Sequence, residues 1–173
     1  GHGLRPVDIG PDDGRPHVAV AVTLHPSMLG EGEAVQLLGE VLHHVRALEF
    51  AVLALSVKHV VVMGHGRCGG IHAAVQDADP LTHTDFIGSW MRGIKDVARY
   101  VTHDHSESEE LFERRIERAS VEHSLANMRT FPWIRMRENA GQLSIHGAWF
   151  DISLGELHAY DETAKAWSAI DGN

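Results

Sequence analysis

The sequence predicts a three-layer α/β/α fold with a mainly parallel sheet and an antiparallel strand at its C-terminal edge. Short apolar runs rich in Val alternate with longer segments that have helical periodicity, as in proteins built around a parallel sheet. Near the C-terminus, apolar runs separated by short turns indicate a hairpin, and therefore an antiparallel edge. The length of 173 residues suits a single domain.

The first half of the chain contains the first predicted strand and helix. Residues 1–16 are rich in Gly, Pro and Asp and are expected to be an irregular lead-in, which leaves 17–173 as the single domain. Residues 17–24, "HVAVAVTL", read as a buried strand. Apolar residues recur at helical spacing over 34–55, with Gly39 as a point of interruption.

The second half continues the alternation. Residues 57–64 are predicted as the next strand, and the helix that follows opens at "CGGIHAAVQ". Amphipathic helices are predicted over 85–101 and 110–131; in the second, the apolar face is expected to run through Leu111, Ile116, Ala119, His123 and Leu125. Residues 133–161 read as three short strands joined by turns at 139–141 and 153–155.

Composition excludes several classes of partner. The net charge is -9, with 24 acidic and 15 basic residues, which disfavours a nucleic-acid or anionic-membrane surface. No apolar run reaches the length of a membrane span. A single cysteine excludes an internal disulfide, and a cytoplasmic location is expected.

The strongest local motif is His65-x-x-Cys68, followed by Gly69 and Gly70, at the end of the strand 57–64. Ligands of such sheets bind at the carboxyl ends of the strands. Imidazole and thiolate are good zinc ligands, and a helix N-terminus favours the thiolate. A catalytic zinc ion nevertheless needs three protein ligands. A buried cysteine beside a capping loop, or an anion held at the helix N-terminus, would explain the same pattern.

Other residues that bear functional groups are given structural or solvent-exposed roles. Arg67 is expected to be solvated, and Asp151 to be structural. Aromatic side chains at Trp90, Trp133 and Trp149 are expected in a core or interface. The chain has 14 histidines, and most show no common ligand spacing and are interpreted as solvated or hydrogen-bonded. These are His43, His44, His72, His83, His103, His105, His123 and His158.

Four segments resemble the β-class carbonic anhydrases over roughly residues 47–162. They are "ALEFAVLALSVKHVVVMGHGRCGGIHAA", "DFIGSWM", "RASVEHSLANMRTFP" and "GQLSIHGAWFDISLGEL". The resemblance implies that His65 and Cys68 bind Zn²⁺, that the ancestral activity is reversible hydration of CO2 to bicarbonate, and that the chain forms a homodimer or a hetero-oligomer with a homologue.

The family's other motif, Cys-x-Asp-Ser-Arg after the first strand, is absent, because Cys68 is the only cysteine. In the family its Cys is the remaining zinc ligand, and its Asp and Arg form the dyad that orients the zinc-bound hydroxide. Counting from Arg15-Pro16 places Thr23, His25 and Ser27 at these three positions. A register shifted by one residue places Leu24, Pro26 and Met28 there instead. The region 25–46 is also expected to be shortened or remodelled.

Three hypotheses follow from this resemblance. In the first, a substituted zinc site of His65, Cys68 and His25 remains active, with Thr23, Gly69 and Gly70 near the substrate. In the second, the chain has lost catalysis and acts as a structural or regulatory subunit. In the third, the sequence is a truncated or engineered form of an active enzyme.

Overall fold

The computed structural model describes residues 19–22, 45–76, 86–104 and 106–170, with the backbone alone for 19–22 and 86–92. Five strands and five helices are described within these ranges, and none of these helices is long and apolar enough to cross a membrane. The strands are β1 (Ala19–Val22), β2 (His59–His65), β3 (Ser144–Asp151), β4 (Glu156–Asp161) and β5 (Ala166–Ala169). The helices are α1 (45–53), α2 (Gly69–Val75), α3 (Phe86–Tyr100), α4 (Glu109–Met128) and α5 (Pro132–Asn139).

The strands form one mixed sheet in the order β1-β2-β3-β4-β5. The first three strands are parallel, and β4 and β5 each join antiparallel to the strand before them. This arrangement agrees with the predicted α/β fold and its mainly parallel sheet. The antiparallel edge has two strands where the sequence predicted one, because β5 lies beyond the last predicted strand.

Helix α4 packs closely on one face of β2 and β3. Two sheet glycines permit this approach, since a Cβ at Gly64 would lie 2.7 Å from Val121 Cγ2 and one at Gly147 would lie 3.0 Å from Leu125 Cδ1. Helices α1 and α5 contribute to the same core. Its fully buried members include Leu48, Val52, Val60, Val62, Leu125, Met128 and Ile134.

Residues 132–139 are helical, so the strand predicted over the first part of 133–161 is wrong. Phe131 caps the helix N-terminus in an extended conformation, and Pro132 occupies the first turn, where its missing N–H costs nothing. The apolar residues do not alternate across a sheet: Ile134 is buried, whereas Met136 is 70% exposed. The two later strands of that prediction are present as β3 and β4.

The buried face of α4 also differs from the predicted one. Leu111 is 48% exposed and His123 is exposed, whereas Glu117 is buried together with Ser120 and Ser124. Of the expected core aromatics, Trp149 is buried, at 1% exposed, and Trp133 is partly buried against the core to which α1 and α5 contribute.

Several predictions concern residues outside the described ranges. The strand 17–24 is observed over Ala19–Val22, and the helix 34–55 over 45–53. The lead-in 1–16, the interruption at Gly39 and the side chain of Trp90 lie outside what the structure describes.

Candidate metal centre

His65 ends strand β2, and its imidazole has one nitrogen available for a metal ion. The Nδ1 atom lies 3.0 Å from the carbonyl oxygen of Gly66. A carbonyl oxygen can only accept a hydrogen bond, so Nδ1 carries a proton, and in the neutral ring Nε2 keeps its lone pair. The ring is exposed. This hydrogen bond therefore fixes the tautomer that a zinc ligand requires.

Cys68 is the N-cap residue of α2 and is half-buried. Its backbone is extended, and its carbonyl accepts the first helical hydrogen bond, from His72 N at 3.0 Å. Gly69 and Gly70 form the first helical positions, with Gly69 exposed. The predicted placement of the motif at a strand-to-helix turn is thus observed.

The backbone changes direction at Arg67, between the two candidate ligands. Its φ of 55° lies in the left-handed region, which is uncommon for a residue with a side chain. The guanidinium is exposed and lies 3.7 Å from Glu110, in agreement with the solvated role expected for it. The backbone of the turn is tied to the next strand, because Gly66 N donates to Phe150 O at 2.8 Å.

The buried carboxylate of Glu117 is hydrogen-bonded to the backbone of the turn. Glu117 of α4 is 4% exposed; its Oε1 accepts a hydrogen bond from Cys68 N at 3.0 Å, and its Oε2 accepts one from Trp149 Nε1 at 3.1 Å. Burial raises the pKa of Glu117, although both hydrogen bonds and the nearby His65 act in the opposite direction. Glu117 therefore connects the candidate cysteine ligand to the protein core.

Glu117 was not among the predicted site residues, although the sequence contains a signal for it. Glu117, Val121 and Leu125 follow one another at four-residue intervals, and all three are buried. An acidic residue in register with such a stripe must find hydrogen-bond donors in the core. Here the donors are the turn and the indole.

A shallow cleft adjoins the turn, on the α4 side of the sheet. Asp151 borders it and is buried; its Oδ1 accepts hydrogen bonds from the backbone N–H groups of Ser153 and Leu154, and Arg114 lies 3.4 Å from its Oδ2. Burial acts to raise the pKa of Asp151, but these hydrogen bonds and the guanidinium hold it below its usual value. Asp151 thus organises the β3–β4 turn. The cleft is lined by Gly66, Arg67, Glu110, Glu113, Arg114, Glu117, Trp149, Asp151 and Ser153.

The opposite face of the sheet, from which His65 projects, carries partly exposed apolar side chains. The strand register places Phe150 beside His65 and opposite Leu157, and Met63 lies two residues earlier on the same face of β2. Met63, Phe150 and Leu157 are 37%, 38% and 37% exposed. The surface around the candidate ligand is therefore apolar on this side.

His65 and Cys68 have the side-chain types that bind zinc, but they supply only two of the three protein ligands that a catalytic zinc ion needs. Within the part of the chain that the structure describes, neither His65 nor Cys68 belongs to a group of three potential ligands that converge within 4.8 Å. The segment predicted to replace the family's missing cysteine, Thr23 to Met28 with His25 at its centre, lies outside the described residues. A different group, His72, Glu109 and Glu113, does converge.

Comparison with known proteins decides the family. The carbonic anhydrase family model matches residues 20–157. The chain belongs to the β-carbonic anhydrase family. It is 35% identical over 113 residues to β-carbonic anhydrase 5, chloroplastic, of Arabidopsis thaliana, covering 61% of this chain and 36% of that protein. It is 30% identical over 129 residues to carbonic anhydrase 1 of Escherichia coli O157:H7, covering 73% of this chain and 58% of that protein.

Solved structures give the same result for the fold. The β-carbonic anhydrase CcaA superposes with a TM-score of 0.69 at 23% identity, covering 87% of this chain and 63% of that one. A tetrameric enzyme from Sordaria macrospora has a TM-score of 0.60 at 26% identity, covering 74% and 62%. The predicted fold class is confirmed. This chain spans about a third to three-fifths of the length of the curated relatives given above.

Proposed function

We propose that this β-carbonic anhydrase domain binds one zinc ion through His65 and Cys68 and takes part in the reversible hydration of CO2 to bicarbonate. The observation that carries the proposal is the His65 Nδ1 contact with Gly66 O at 3.0 Å. It holds the imidazole as the tautomer with a free Nε2, on the same strand-to-helix turn as the only cysteine. Family membership supplies the reaction.

The protein's part in the chemistry is to hold the site in place and to admit the substrate. Glu117 fixes the backbone at Cys68. The partly exposed apolar side chains of Met63 and Phe150 lie on the same face of the sheet as His65, which suits a small apolar substrate such as CO2. Zinc, when bound, lowers the pKa of its water ligand so that hydroxide forms near neutral pH.

The third ligand is proposed to come from residues 23–27. His25 has the side chain best suited to zinc in this segment, and a set of two nitrogens and one sulfur suits a catalytic zinc ion. Thr23, Gly69 and Gly70 are proposed to border the substrate.

A second candidate function is a non-catalytic subunit that pairs with an active homologue. The observation that favours it is the composition: one cysteine and no Cys-x-Asp-Ser-Arg motif, so the residues that orient hydroxide in the family are missing. The exposed apolar side chains around His65 provide a surface for a partner chain, either a second copy or a homologue. Both candidates are proposed to act in the cytoplasm; two relatives carry the descriptions chloroplastic and mitochondrial.

The zinc content of the purified chain, combined with stopped-flow CO2 hydration, tests both candidates. The enzyme proposal expects one zinc per chain at this site, lost in Cys68→Ser and reduced in His25→Ala, and hydration above the buffer rate. His123→Ala is the matched control, because His123 is exposed on α4. Zinc bound with no hydration, together with co-purification of an added family member, would favour the subunit. Full zinc retention in Cys68→Ser would exclude the proposed ligand pair.

A further inference from the structure

Helices α2 and α4 bring three potential metal ligands together on the surface. His72 Nδ1 lies 2.6 Å from Glu113 Oε1, and Glu109 adds a second carboxylate from the start of α4. One ligand atom from each residue lies within 4.8 Å of the other two. Rotations of these side chains would bring the three atoms to the distances at which a single ion binds its ligands.

The spacing along both helices explains this convergence. Gln76, the C-cap residue of α2, follows His72 by four residues, and Glu109 and Glu113 are four residues apart on α4. Residues at this spacing lie on the same helical face, one turn apart. The two pairs face each other, since His72 contacts Glu113 and the Gln76 amide contacts Glu109. Spacing along the chain does not predict this group, because the partners of His72 lie on another helix.

Glu113 contacts His72 and Glu109 contacts the Gln76 amide, whereas two nearby arginines approach a third glutamate, Glu110. The guanidinium groups of Arg67 and Arg114 both approach Glu110, at 3.7 and 3.9 Å. His72 is mainly exposed, with 59% of its side chain accessible, so an ion can reach the group from solvent.

We propose that His72, Glu109 and Glu113 form a second metal site, which takes a divalent transition-metal ion such as Zn²⁺, Co²⁺ or Ni²⁺. One imidazole nitrogen with two carboxylates suits these ions, whereas Mg²⁺ and Ca²⁺ prefer an all-oxygen set. The site lacks sulfur and uses no residue of the His65–Cys68 pair. It is therefore independent of the proposed anhydrase function.

Equilibrium dialysis of the full chain with Zn²⁺ tests the site in a His65→Ala/Cys68→Ser background, with circular dichroism to verify folding. One zinc per chain is expected to remain in this background, and its affinity is expected to fall at least tenfold on adding His72→Ala or Glu113→Gln. Glu110→Gln is the matched control for charge, and His123→Ala for the imidazole; both should leave the affinity unchanged. In the unaltered chain, His72→Ala should lower the zinc stoichiometry by one.

Co²⁺ distinguishes the two sites by their donors. Cobalt bound to the His65→Ala/Cys68→Ser chain is expected to show no sulfur-to-cobalt charge-transfer absorption, and its visible spectrum should disappear in Glu113→Gln. Retention of zinc by the His72→Ala chain in this background would overturn the proposal. So would a folded chain in the same background that binds no zinc. Neither result depends on whether the His65–Cys68 pair binds metal.

Discussion

Replacing Glu117 by Gln tests whether this buried carboxylate holds the candidate cysteine ligand. The carboxylate accepts two hydrogen bonds, one from Cys68 N and one from Trp149 Nε1, at 3.0 and 3.1 Å. A glutamine has one acceptor oxygen and one NH₂ group at this end. Whichever way the amide turns, one of the two N–H donors faces another donor in a buried place.

The expected cost follows from these contacts. An unsatisfied buried donor costs about 1–3 kcal/mol, and a hydrogen bond to a charged group contributes about 1.5–3 kcal/mol. Removing the buried charge offsets part of this loss, because burial already raises the pKa of Glu117. We therefore expect Glu117→Gln to lower the free energy of unfolding by ~1–2 kcal/mol near pH 7.5.

Urea denaturation measures this loss, and hydrogen exchange locates it. The amide of Cys68 should exchange about tenfold faster in Glu117→Gln, equivalent to ~1.4 kcal/mol, and zinc affinity should fall about tenfold, as for other residues that orient metal ligands. Glu122→Gln is the matched control, because Glu122 lies on the same helix and accepts from Trp167 Nε1 at 2.9 Å. Glu122→Gln should leave the exchange rate of the Cys68 amide unchanged. A Glu117→Gln chain as stable as the parent, with unaltered exchange at Cys68, would refute the reasoning.

Two further predictions concern the sheet. Gly64→Ala should destabilise the protein by ~1–3 kcal/mol through overpacking, because its Cβ would lie 2.7 Å from Val121 Cγ2. Gly69→Ala, which has no atom within 4 Å of the added Cβ, is the control in the same thermal or urea titration. Equal effects of the two substitutions would contradict the close packing of α4 on Gly64. His146 Nε2 lies 3.0 Å from His59 Nδ1. Burial lowers the pKa of His146 from its usual 6.5, and the charge of His59 lowers it further. As the pH falls, His146 therefore takes up a proton in the unfolded chain before it does so in the folded one, and stability should fall below about pH 6.5. His146→Gln should flatten this part of the plot of unfolding free energy against pH. An unchanged slope would contradict the assignment of this pH dependence to His146.

Much of the fold follows from local pattern, and the exceptions have identifiable causes. The Val-rich run 57–64 and the apolar spacing of 85–101 correspond to β2 and α3 because burial on a sheet or a helix face requires these periods. The helix α5 was missed because Trp133, Ile134 and Met136 are apolar, while the terminus signal, Pro132, comes just before them. Glu117 was missed because its burial depends on donors distant in sequence, at Cys68 and Trp149.

The candidate site was predictable only where its residues are neighbours along the chain. His65-x-x-Cys68 is a local motif, and its placement between β2 and α2 followed from the strand that precedes it. The convergence of His72 with Glu109 and Glu113 depends on how α2 packs on α4, which no periodicity within either helix gives. The third zinc ligand, proposed from residues 23–27, lies outside the described residues and stays a prediction.

The cobalt absorption spectrum of the full chain tests the central claim, that His65 and Cys68 bind the metal, most directly. We expect a sulfur-to-cobalt charge-transfer band that is absent in Cys68→Ser, weakened in His65→Ala and in His25→Ala, and unchanged in His72→Ala. A cobalt-bound chain whose spectrum lacks this band, or keeps it in Cys68→Ser, would contradict the assignment of Cys68 as a metal ligand.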